Sequence, residues 1–203
     1  MKVGVLANEQ QFASLILHTT GIDWIHADED LFFSGKEADL FINLQENAAE
    51  KKYENIYQPV IIHSLCHTLK EMQAPAQVLR INGWEGFISR PVWELCGSLS
   101  ETVREFMKLI NRQFIMVPDE PGLISACVVS MIINEAYFAL EEKVSSKEEI
   151  NTAMKLGTNY PYGPFEWAGI IGIEKIAALL QQLAKSDKRY IPSSLLLKEC
   201  PVK

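Results

Sequence analysis

The chain has 203 residues, 48% of them apolar and 22% charged, and 19 Lys and Arg stand against 26 Asp and Glu for a formal net charge of −7. So much apolar content argues against disorder and is enough for one α/β domain or two small ones. The acidic balance, with no basic block longer than Lys51-Lys52, argues against a nucleic-acid partner. The longest apolar stretch, residues 123–140, is interrupted by Asn134 and Glu135, so no membrane span is expected.

The opening apolar run, Val3-Gly4-Val5-Leu6-Ala7, is too short for a signal peptide and has no small-residue cleavage site, which predicts a cytoplasmic protein. Cys66, Cys96, Cys127 and Cys200 lie thirty or more residues apart without a CxxC pair. That spacing suits reduced thiols rather than a zinc site or a disulfide framework.

In chain order, short apolar runs at 2–6, 22–26, 39–43, 59–63 and 77–81 read as strands, and a helix is expected over 10–19. Strands of this length separated by helix-length connections predict a Rossmann-like α/β half with a shortened, mostly parallel sheet. From Ser98 helical periods prevail. Ser98 and Glu101 have capping-box spacing, and one more strand is expected at 114–117. Pro118-Asp119-Glu120-Pro121-Gly122 then punctuates the chain before a long helix at 123–143. A second box, Ser146 to Glu149, leads into a helix that should stop at Gly157. Tyr160-Pro161-Tyr162-Gly163-Pro164 reads as a turn, followed by helices at 165–170 and 174–186. The predicted boundary separates an α/β domain, 1–117, from an all-α domain, 118–203.

The helical half carries Asp119-Glu120-Pro121-Gly122-Leu123-Ile124, Asn134-Glu135-Ala136, a run from Lys147 to Gly157, and Tyr160-Pro161-Tyr162-Gly163-Pro164-Phe165-Glu166. In this order and spacing these segments resemble the C-terminal domain of the 3-hydroxyacyl-CoA dehydrogenases. Their direct reading is as fold determinants, with Pro121-Gly122 opening the long helix and Gly163-Pro164 turning the chain into another. The resemblance implies a wall of an acyl-CoA cleft and a homodimer through this domain. An apolar face at Val128, Val129, Ile132 and Ile133 is compatible with a dimer or with burial inside the monomer.

The resemblance extends more weakly to the first half. It implies NAD as cofactor, held by a glycine-rich turn after the first strand. At the positions that want glycine this chain has Ala7, Glu9 and Phe12. Glu9 puts a carboxylate where a diphosphate would meet a helix N-terminus, and Phe12 adds bulk where helix and strand must pack closely. Asp28 stands about where a ribose-binding acid is expected. The next strand begins only eleven residues later, so much of the cofactor-side elaboration of the family is missing.

In the family a histidine takes the proton of the 3-hydroxyl, and a glutamate twelve residues on orients it. Matching on Val92-Trp93-Glu94-Leu95 makes Glu94 that glutamate and puts Asn82 in place of the histidine. An amide has no protonation change near neutral pH, so Asn82 cannot be a general base. His67 stands at the family's active-site serine, Ala126 replaces a family asparagine, and His63 and His67 are the only nearby histidines. An H-x-x-x-H metal pair is not expected, because His63 ends a strand and the two do not share a helix face. These losses imply a family member of acyl-CoA metabolism with impaired or lost NAD-dependent activity, a pseudoenzyme that keeps fold, dimer and acyl-CoA binding. The alternative is an active NAD(P)-dependent oxidoreductase on a 3-hydroxyacyl-CoA or related β-hydroxy acid, with His67 as base.

Overall fold

The computed structural model describes residues 1–17 and 19–201 and divides into two compact units, Met1–Leu123 and Ile124–Lys203. The helix predicted over 10–19 is found at Glu9–Ile16 and ends where Leu17 leaves helical geometry; residue 18 lies outside the described residues.

The first unit is built on strands β1 (Lys2–Leu6), β2 (Asp23–His26), β3 (Leu40–Asn43), β4 (Val60–His63), β5 (Val78–Ile81), β6 (Val92–Gly97) and β7 (Gln113–Met116). They form one sheet in the order β2-β1-β3-β4-β5-β6-β7. β1 to β5 pair parallel, β6 runs antiparallel to β5, and β7 is parallel to β6. The chain moves outward from β1 to β2 and then returns to place β3 on β1's other side. That reversal of strand order makes a crevice at the carboxyl ends of β1 and β3.

Strand residues alternate between two cores, as the two-residue period of a strand requires. Leu40, Ile42, Ile61, Leu79 and Ile81 join Leu15, Val103, Phe106 and Met107 on one face. Phe41, Val60, Ile62 and Val78 join Phe32, Tyr53 and Ile56 on the other. Of these, Leu15 comes from α1 (Glu9–Ile16), Phe32 from α2 (Glu29–Phe33) and Val103, Phe106 and Met107 from α3 (Glu101–Leu109), while Tyr53 and Ile56 come from the connection between β3 and β4.

Several local expectations are corrected. The connection from β3 to β4 holds only a 3-10 turn, Ala48–Glu50, and that from β4 to β5 holds turns, so two of the parallel crossovers lack the expected helix. Neither α2 nor β6, the strand carrying Glu94, was predicted. α3 is capped by Ser100, whose oxygen accepts from the Val103 amide at 3.3 Å, so the Ser98 box does not form.

The second unit comprises α4 (Ser125–Glu141), α5 (Lys147–Thr158), α6 (Pro164–Ile171), α7 (Ile173–Ala184) and α8 (Ser194–Glu199). α4 begins later than predicted, because the chain first turns through positive φ at Gly122 and Leu123. Gly157 lies inside α5, and Asn159, with φ 56°, ends it instead. The Ser146–Glu149 box forms as predicted.

The signature residues of this unit lock its turns. The Asn151 carboxamide oxygen accepts from the Phe165 amide at 3.0 Å, and a Cβ on Gly163 would stand 2.3 Å from that same oxygen. Glycine is therefore required at 163, and Pro164 takes the first helical position, where its missing N–H costs nothing. Asn134 is 2% exposed; it donates to the Ile191 carbonyl at 2.9 Å and accepts from the Ser193 amide at 2.8 Å, fastening the segment before α8 to α4.

Candidate functional site

The carboxyl ends of β1 to β5 carry every residue singled out from the first half except Glu94. At the end of β1, Asn8 caps α1. Its side-chain oxygen accepts from the Gln11 amide at 2.8 Å, and the Gln11 side chain accepts from the Asn8 amide at 3.1 Å. The turn between them is occupied by the protein itself. The His26 ring, at the end of β2, bonds through Nε2 to the Ala7 carbonyl at 2.8 Å and lies 3.7 Å from the Glu9 carboxylate through Nδ1. Its other surface stacks on Phe12, with ring centroids 4.3 Å apart and planes within 8°.

A dinucleotide's diphosphate needs free amides at this helix N-terminus and close backbone approach through glycines. Here the Gln11 amide is already taken by the Asn8 side chain, the exposed Glu9 carboxylate stands at the turn, no glycine is present, and the His26–Phe12 pair packs against the turn's backbone, so these residues do not fit the group. Asp28, the candidate ribose ligand, is engaged elsewhere: its carboxylate accepts from the Leu31 amide at 2.8 Å and caps α2. Gln10 also donates to the Glu85 carboxylate, joining the start of α1 to the loop after β5 across the ends of β3 and β4.

Further along the same edge, Asn82 is 8% exposed, and its side-chain oxygen accepts from the Trp84 amide at 3.1 Å, which shapes the loop after β5. The imidazole beside it is His63, not His67. His63 Nδ1 accepts from the Gly83 amide at 3.0 Å, and its Nε2 faces Glu46 at 3.9 Å. A Cβ on Gly83 would come within 2.8 Å of the His63 Cβ, so the two are in tight contact. Accepting at Nδ1 leaves the neutral ring's proton on Nε2, directed at the carboxylate. Strand alternation alone could have flagged His63 as an edge residue, but its pairing with Glu46 and Gly83 depends on three separate loops.

His67 is exposed, and it is its backbone carbonyl that is held, by the Ser64 hydroxyl at 2.7 Å. Glu94 is half-buried on β6, near Arg90, whose guanidinium burial pushes downward in pKa while the Glu94 charge counters it. Ala126 is buried in the first turn of α4. No cluster of three His, Cys, Asp or Glu able to hold a metal occurs among the described residues.

Beneath this edge lies a buried charge cluster that the sequence did not announce. Arg80, fully buried on β5, donates to the Ser64 carbonyl at 3.1 Å, to the Glu120 carbonyl at 3.2 Å and to the Asp119 carboxylate. Asp119 also accepts from the amides of Leu69 and Lys70 at 3.0 and 3.1 Å, and from the Cys96 thiol at 3.4 Å. This cluster holds the loop that presents His67.

A mostly parallel, Rossmann-like sheet in the first unit is followed along the chain by an all-helical second unit. Residues 122–201 match the family described as 3-hydroxyacyl-CoA dehydrogenase, C-terminal domain. The 3-hydroxyadipyl-CoA dehydrogenase of Escherichia coli K12 is 41% identical over 93 residues, 45% of this chain and 20% of that protein. A 3-hydroxybutyryl-CoA dehydrogenase of Clostridioides difficile is 37% identical over 100 residues, 48% and 36% of the two chains. The match thus spans about a fifth to a third of these relatives. Among solved structures, the (S)-3-hydroxybutyryl-CoA dehydrogenase of Ralstonia eutropha superposes with a TM-score of 0.70 over 97% of this chain and 92% of its own, at 20% identity, a likeness of fold alone.

Proposed function

We propose that this chain is a 3-hydroxyacyl-CoA dehydrogenase relative of acyl-CoA metabolism that has given up NAD-dependent dehydrogenation and works as a binding or scaffolding protein. In this reading it is cytoplasmic, forms a homodimer through the helical domain, and retains an acyl-CoA ligand. The observation that carries the proposal is the closed turn after β1, where His26 sits on the Ala7 carbonyl and stacks on Phe12. Asn82 in place of a general base points the same way. Losing that base alone costs on the order of 10²- to 10⁴-fold in rate. The reading with His67 as base gains no support, since that residue is exposed and only its backbone carbonyl is held.

The test is a spectrophotometric assay of 3-hydroxybutyryl-CoA oxidation with NAD⁺. The expected result is reduced nicotinamide forming no faster than without protein. Turnover at a rate typical of an enzyme, about 1 s⁻¹ or more, would overturn the proposal.

A further inference from the structure

Between α3 and the start of β7 lies a groove of about 430 Å³ lined by Arg104, Met107, Lys108, Arg112, Gln113 and Phe114. This volume is within the range of small-molecule sites. Arg104 and Lys108 are four residues apart on α3 and so project from one side of it, about 6 Å apart along the axis. Both are exposed. Among the described residues, neither they nor Arg112 has a carboxylate at ion-pair distance, although the chain as a whole is acidic.

Arg112 is held more deeply. Its guanidinium lies 5.0 Å from the Trp93 ring centroid and donates through Nη2 to the Ser14 carbonyl at 3.4 Å. Its Nη1 is buried and has no hydrogen-bond partner among the described residues. A partly desolvated cation with an unmet donor and no counter-ion is costly to keep, and it projects a positive field into the space above it. Phe114 offers an aromatic surface on the same wall, with the Arg104 guanidinium 5.9 Å from its centroid.

We propose that this groove binds a polyphosphate group, either as an inorganic polyphosphate or as the phosphate chain of a nucleotide. Two exposed cations one helical turn apart suit an extended anion with several charged oxygens better than a single carboxylate, and an arginine fork matches phosphate geometry. Arg104 and Lys108 contact the phosphate oxygens, Arg112 supplies the field beneath them, and Phe114 provides a face on which a base stacks. None of the residues of the closed turn after β1 takes part.

Isothermal titration of pyrophosphate and of ATP into the full chain tests this, with the double variant Arg104→Ala/Lys108→Ala alongside. Binding with Kd below about 1 mM is expected, weakened at least about tenfold in the variant. ATP binding clearly tighter than pyrophosphate assigns the site to a nucleotide, and equal binding assigns it to the inorganic anion. Absence of binding by both anions, or unchanged binding in the variant, overturns the proposal. Both side chains are exposed, so the variant should keep the wild-type circular dichroism. If it does not, amide shifts caused by pyrophosphate in the wild-type protein decide instead: changes centred on residues 104–114 support the site, and scattered changes overturn it. NAD⁺ carries a diphosphate of its own. Its binding, if lost in the double variant, belongs to this groove, whereas binding retained there belongs elsewhere and counts against the proposed function rather than against this site.

Discussion

The guanidinium of Arg80, fully buried, and the half-buried carboxylate of Asp119, 39 residues apart in sequence, form an ion pair on which the loop after β4 is hung. Arg80 has no exposed surface, and Asp119 collects two further backbone amides and a thiol. Removing the carboxylate leaves the fully buried Arg80 charge without its counter-ion. Asp119→Ala is expected to cost about 3–5 kcal/mol, read from urea denaturation. A loss below about 1 kcal/mol would show that the pair is dispensable.

The same pair gives the protein an acid limb. Burial pushes the Asp119 carboxyl upward, but the Leu69 and Lys70 amides and Arg80 outweigh it and hold the pKa below the ordinary carboxylate value. A depressed folded-state pKa contributes stability above the unfolded value of about 4, and that contribution is lost as pH falls through the folded value. Asp119→Asn should therefore flatten the fall of stability below about pH 4 relative to wild type, as measured by thermal melts across pH. An unchanged acid limb would assign the effect to other carboxylates.

Cys96 belongs to this cluster, and its thiol is pushed up to about 11, first by burial and then by the neighbouring Asp119. Thiolate is the reactive species, so Cys96 should resist alkylation in the native protein at pH 8. Peptide mapping after iodoacetamide treatment should find it unmodified until the chain is unfolded.

Asn82→His puts the family's base back into a chain whose turn after β1 does not fit the cofactor. No NAD-dependent oxidation of 3-hydroxybutyryl-CoA is expected. The Trp84 amide loses the Asn82 oxygen as acceptor, which should lower stability by about 1 kcal/mol. Appreciable activity in this single variant would contradict the account.

Gly163 and Asn151 form a steric lock in the helical unit. Gly163→Ala should cost about 1–3 kcal/mol, because its Cβ would meet the Asn151 side chain. Adding Asn151→Ala should recover part of that loss, and the non-additivity measures the contact. Strict additivity would show that the two do not interact.

The sequence made the sheet legible because apolar runs such as residues 59–63 and 77–81 stand between turn-formers, and most strand ends fall within a residue of expectation. The helical signature was legible because its residues act locally, as Ser146 and Glu149 do in their box. Less legible was anything made between distant segments. His26 reaching back to Ala7 and His63 meeting Gly83 join residues about twenty apart, and Arg80 meets Asp119 over a longer span still. Such pairs leave no periodic trace. Asp28 shows the converse: its position suggested a ribose ligand, while its local chemistry as a cap for α2 decides what it does.

The central claim is that the turn after β1 no longer holds a dinucleotide. Isothermal titration of NAD⁺ and NADH into the Arg104→Ala/Lys108→Ala protein tests it most directly, because the cationic groove is then removed from the result. No saturable binding up to about 1 mM of either form is expected. Micromolar binding, weakened by a further substitution at Glu9 or His26, would contradict it.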